Sequence, residues 1–159
     1  IYAANGIMQL IIPIERKSGE KMLIKDVRID YKQDWQHIHW QSIVSAYQSS
    51  PFFEYYSDDL IPFYHKKETF LFDFNYKILE KMLELTSIKA SISFTDNYVM
   101  EVNFADYDYR ISISPKPRLQ QPDSHFRIVK YYQVFEQKHG FIPNLSILDL
   151  LCNEGNNSI

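Results

Sequence analysis

The chain has 159 residues, 45% of them hydrophobic, with 17 basic and 20 acidic side chains and a net charge of −3. That is enough for one domain with its own core, and the basic residues are too scattered to make the concentrated positive face that nucleic acid requires. The lone Cys152 excludes an internal disulfide and a cysteine-based zinc site, and no apolar run approaches the ~20 residues of a membrane-spanning helix.

In chain order, Asn5-Gly6 between apolar residues is a hairpin signal. The arm after it runs to Ile14 and the arm before it is a stub, which predicts further residues upstream of Ile1, because a hairpin arm needs a partner for its backbone groups. Residues 6–14 are almost continuously apolar and read as a strand covered on both faces. Residues 22–30 read as a second strand. Asp34 predicts a helix cap, and Trp40, Ile43, Val44 and Tyr47 follow the i, i+3, i+4, i+7 stripe of a helix ending at Ser50-Pro51. Residues 52–67 read as short helical pieces interrupted by Pro62. The clearest helix spans about 69–86, with the stripe Leu71, Phe74, Asn75, Ile78, Met82 and Leu85. Residues 88–95 alternate like a strand, Tyr109, Ile111 and Ile113 suggest another, and three prolines in 115–124 mark a loop. A short helix is predicted over 131–138 and a last one over 146–153, with Gly155 as its C-cap. The sum is a single mixed α/β (α+β) domain over residues 1–155, a small sheet packed with helices, followed by a loose tail at 156–159.

The 12 Tyr, 11 Phe and 2 Trp suit cores, interfaces and sugar or base stacking alike, so they select no function. Motifs of high specificity for nucleotide binding, serine hydrolysis or zinc proteolysis are absent. His37 and His39 fall on a helix, where side chains two apart diverge by about 200° and do not share a metal; His39 stays a candidate acid–base group. Asn75 interrupts an apolar stripe, either as a tie to backbone or as a pocket amide. Tyr131 and Gln133 are suited to orienting a polar substrate, and Tyr47 on the first helical stripe joins them as a binding candidate. Asn144, Ser146, Asp149 and Asn153 thread through an otherwise apolar segment. Ser146 and Asp149 fit a reciprocal capping box. Ser146, Asp149 and Asn153 also share one helical face, which must meet core polar groups or a ligand. A carboxyl at 149 inside such a helix is expected to have a raised pKa, whereas Cys152 is expected to be an inert core thiol. Nothing in the pattern requires a metal, and no cofactor is specified.

The segments ANG…QLIIPIE, IKDVRI, HW…SAYQSSPFFEYY and above all YYQVF…HGFIPNLSILDLLCNEG resemble the WbqC-like family, in its shorter Bacteroidetes-type form. The resemblance covers nearly the whole chain. Family members usually carry a further ~45–50 residues at the start, a length set by domain size, and the extended middle region of the longer members has no counterpart here. The resemblance implies a cytoplasmic protein of surface-polysaccharide (O-antigen-type) biosynthesis, with a transferase role, acyl or aminoacyl transfer to an amino sugar. Its small-molecule partner would be a sugar nucleotide or lipid-linked sugar. On this reading Asp149 is the base, His39 the reserve acid–base residue, and Asn144, Ser146, Asn153, Tyr131, Gln133, Tyr47 and Asn75 contact substrate. The alternatives are a non-catalytic sugar- or peptide-binding module and a structural partner in a glycan-synthesis complex.

Overall fold

The structure, a computed structural model, describes residues 1–15, 22–100, 108–110 and 126–158. Its described elements are helices α1 (Trp35–Tyr47), α2 (Phe53–His65), α3 (Leu71–Leu85), α4 (Glu136–His139) and α5 (Ile147–Glu154), with two short strands, β1 (Tyr2–Ala3) and β2 (Gly6–Ile7). The strands pair antiparallel, Tyr2 with Ile7 and Ala3 with Gly6. The fold is thus the small mixed α/β type, weighted towards helix. Residues 1–89 together with 130–159 make one compact unit, and 90–129 make a second.

The helical stripes explain the main core. α1 buries Ile43, Ala46 and Tyr47, α2 buries Phe53, Tyr56 and Leu60, and α5 buries Leu148, Leu151 and Cys152 in one cluster. Each set recurs at helical spacing, so each helix turns one apolar face to the other two. The turn between α1 and α2 is fastened to α5 by Phe52 N–H donating to the Cys152 carbonyl at 3.0 Å. α5 ends at Gly155, whose φ of 71° suits glycine and where an added Cβ would stand 3.3 Å from the Phe52 ring. Residues 155–158 continue as a 3₁₀ turn. A second cluster gathers Ile29, Trp35 and Phe74 between the start of α1 and α3.

The hairpin forms where Asn5-Gly6 predicts it, with Gly6 at φ 101°. The expected strands do not extend further among the described residues. Beyond Ile7 no ladder continues among the described residues; isolated bridges join Ile14 to Ile29 and Arg28 to Phe70. A strand needs a continuous ladder, and the 3₁₀ turn at Ile24–Asp26 breaks the expected partner. Leu10 and Ile12 point inward while Gln9 and Ile11 are exposed, so this segment is covered on one face, not both. No strand forms at 88–95, and the expectation at Ile111 and Ile113 lies outside the described residues. Pro62 lies within α2 without breaking it. The carbonyl it leaves unpaired, that of Asp58, belongs to an exposed residue that water can reach.

Candidate functional site

The segment that opens α5 divides its polar residues by depth. Asn144 is exposed and holds a positive φ of 55°, a conformation asparagine tolerates. Ser146 is the N-cap, and its hydroxyl accepts from the Leu148 N–H at 3.3 Å. The reciprocal capping box does not form. Asp149 N–H donates to the Ser146 carbonyl instead, at 2.9 Å, and the carboxylate turns inward. It does so because phenol and amide donors wait there.

Asp149 is only 1% exposed. Its Oδ2 accepts from the Tyr131 hydroxyl at 2.7 Å and lies 3.4 Å from Gln133 Nε2. The Tyr47 hydroxyl, from the end of α1, also bonds the carboxylate. That hydroxyl in turn accepts from the Tyr2 N–H at 3.2 Å. The Tyr2 hydroxyl reaches the carbonyls of Phe135 and Gly140 at 3.0 and 2.8 Å. Gln133 closes the loop after it: its amide donates to the Ile142 carbonyl at 2.8 Å and accepts from the Ile142 N–H at 2.9 Å. Strand β1, α1, the 131–142 segment and α5 therefore meet at one carboxylate.

Burial is the main influence on its chemistry. It pushes the Asp149 pKa up, and the hydrogen bonds from Tyr131 and Tyr47 pull part of the way back. No lysine or arginine among the described residues pairs with it. Burial also raises Tyr47 and Tyr131, with Asp149 reinforcing both, so both hydroxyls stay protonated and donate. Cys152 is fully buried and its thiol is pushed up to about 12 by burial, which fits the inert role. Asn153 donates to the Asp149 carbonyl at 2.7 Å, an i−4 bond within α5, and leaves its own carbonyl oxygen buried without a partner.

Beside this network the turn at 132–137 forms an open cleft of about 470 Å³, lined by Tyr132, Gln133, Val134, Glu136 and Gln137. Tyr132 is 54% exposed. Its N–H donates to Glu154 at 2.9 Å, which ties the cleft to the end of α5. An exposed aromatic ring with amides and a carboxylate is a combination that stacks on and hydrogen-bonds to a sugar.

The structure brings together Asp149, Tyr131, Gln133 and Tyr47, with Asn153 against the Asp149 backbone. Asn144 and Ser146 are at the exposed rim of the same segment. His39 does not join them. It precedes Tyr47 by eight residues on α1, about 12 Å along the helix axis, and packs edge-on against Trp35 at 5.0 Å. Burial lowers its pKa, partly offset by a hydrogen bond to the Ile11 backbone. Asn75 is exposed on α3, so the buried amide expected from the stripe is absent; the apolar face of α3 is narrow enough to leave position 75 outside. Tyr2 as a member of the network and Glu136 as a cleft residue carry no signal in the sequence, since the spacing of Tyr2 to α5 is not local. Among the described residues no cluster of three metal-binding side chains occurs. No helix among them is long and apolar enough to cross a membrane.

A small mixed α/β domain with a buried carboxylate network backing an open polar–aromatic cleft defines the class of protein. The chain belongs to the WbqC-like protein family, whose family model matches residues 1–159. No curated protein and no solved structure gives a significant match.

Proposed function

We propose that this protein is a transferase of cell-surface polysaccharide biosynthesis that seats an amino sugar in the 132–137 cleft and passes an acyl or aminoacyl group to its amine. The WbqC-like family is loosely associated with polysaccharide biosynthesis. The observation that carries the reading is Gln133, which lines the cleft and also reaches the buried Asp149 carboxylate. An attacking amine must shed a proton as it bonds to the donor carbonyl, and the carbonyl's bond to its leaving group then breaks, the leaving group departing with the proton that the base has held. Asp149 is sealed from solvent, so it takes that proton through Tyr131: the amine proton passes to the phenol oxygen as the phenol proton moves to Asp149. A carboxyl with a raised pKa suits that task. Asn144 and Ser146 shape the rim of the same segment, and Asn153 holds the Asp149 turn of α5. His39 serves elsewhere.

A second reading, a sugar-binding module without catalysis, draws on the complete set of donors around Asp149, which would suffice to lock the cleft in shape. One experiment separates them. The chain is titrated with nucleotide-linked amino sugars by thermal shift, alongside Asp149→Asn and Tyr131→Phe, with transfer to the sugar amine followed by mass spectrometry. A saturable shift retained in both variants while transfer is lost supports the transferase. Binding with no transfer by the unaltered protein, with any acyl or aminoacyl donor tested, supports the module. Unchanged transfer by Asp149→Asn removes Asp149 as the proton acceptor.

A further inference from the structure

A second concavity has no part in the network around Asp149. It is a groove of about 270 Å³ between the segment after β2 and the start of α1, lined by Leu10, Ile11, Pro13 and Ile38 with Trp35 and His39, and by Met8 and the neutral amides Gln9 and Gln33. Its size falls just below the ~300–1,000 Å³ typical of ligand pockets, which suits a small group rather than a nucleotide. No lysine, arginine, aspartate or glutamate is among its described lining residues. His39 is 7% exposed, and its burial favours the neutral ring.

One polar atom in this wall is unaccounted for. Trp35 Nε1 is buried and has no hydrogen-bond partner. An indole N–H can only donate, and an unmet buried donor costs about 1–3 kcal/mol. The rings of Tyr31, His39 and Phe74 pack against the indole at 5.9, 5.0 and 5.7 Å, and none supplies an acceptor. Trp35 is one of the residues that line the groove.

We propose that this groove binds a short, neutral acyl group, whose carbonyl oxygen accepts the Trp35 indole N–H while its chain lies along Leu10, Ile11 and Ile38. The lining offers no cation to hold a carboxylate or phosphate. A hydrocarbon alone would leave the indole donor unmet. A carbonyl on an apolar body meets both conditions. The same chemistry is presented by an acyl thioester and by the N-acyl group of an amino sugar. The site stands independently of the transfer reaction assigned to the 132–137 cleft.

The test uses the indole signals in ¹H–¹⁵N spectra of the whole chain, which has 2 tryptophans. Trp35→Phe assigns the Trp35 signal. N-propylacetamide and propyl acetate are the probes; hexanoate and benzene are the charged and the acceptor-free controls. A saturable shift of the Trp35 indole with the two carbonyl probes, larger than with either control and with the Trp40 indole unmoved, is the expected result. In Trp35→Phe, followed through the Ile11 and Ile38 signals, the carbonyl probes bind about tenfold more weakly, the worth of one hydrogen bond, and benzene loses much less. Acetyl-coenzyme A and N-acetylglucosamine, titrated separately, identify which source of the acyl group fits. No shift of the Trp35 indole with any probe, or equal movement of both indoles, overturns the site. So does an equal loss of carbonyl and benzene binding in Trp35→Phe.

Discussion

Asp149 and Ser146 stand one helical turn apart on α5, and their surroundings could hardly differ more. Asp149 is sealed inside with donors from β1's neighbour Tyr47, from Tyr131 and from Gln133. Ser146 and Asn144 are exposed, and the Ser146 hydroxyl accepts from the Leu148 N–H of its own helix. The same polar character therefore does two kinds of work. On the rim it shapes the start of a helix, a local matter of capping. On the floor it joins four segments distant in sequence, and each donor lost there leaves a charge short of solvation in a place water does not reach.

The largest effects are expected at the buried donors. Tyr131→Phe and Tyr47→Phe are each expected to lower stability by about 1–3 kcal/mol, because each leaves the buried carboxylate under-solvated. Adding Asp149→Asn to either variant should return part of that loss, since the charge needing donors is gone. Urea unfolding of the full cycle measures the coupling. Losses that simply add would show that the network is not a unit.

The pH dependence sharpens the same point. Asp149 has a folded pKa above its ordinary value of 3.8. The native state thus binds its proton more tightly than the unfolded chain does, so this group's contribution to stability falls as pH rises from about 3.8 through the raised folded value. Above that window the folded protein carries the cost of a buried charge. Unfolding curves across this range should show that decline in the wild type and a flatter profile in Asp149→Asn; identical slopes would remove Asp149 as its source.

The rim should respond less. Ser146→Ala is expected to cost about 0.5–2 kcal/mol, the worth of an N-cap, with no change in pH profile. Asn75→Ala, on the exposed side of α3, should stay within about ±0.5 kcal/mol and leave any sugar binding untouched. A larger effect on ligand binding would return Asn75 to a site that its position now argues against.

Helical parts of the fold were legible because their information is local. The stripe Trp40, Ile43, Val44, Tyr47 located α1, the run from Leu71 to Leu85 located α3, and Ser146 with Gly155 bracketed α5. Strands were legible only in part. The near-continuous apolarity of residues 6–14 predicted cover on both faces where only one is covered, and pairing depends on a partner elsewhere, which at Ile24–Asp26 turns away. Asn75 was misplaced for a related reason: spacing assigns a residue to a stripe, while the width of the buried face is set by what packs on it.

Sequence by itself determined α1, α3 and α5, the hairpin turn, the inert buried thiol and the membership of polar residues in the last helix, because capping, periodicity and burial preference act over a few residues. Only tertiary structure decided which of those polar residues meet. Tyr2, Tyr47, Tyr131, Gln133 and Asp149 are scattered along the chain and converge because α1, α2 and α5 bury their apolar faces together. The same packing leaves His39 against Trp35, away from that carboxylate. Convergence of this kind depends on how faces dock, and no local pattern encodes it.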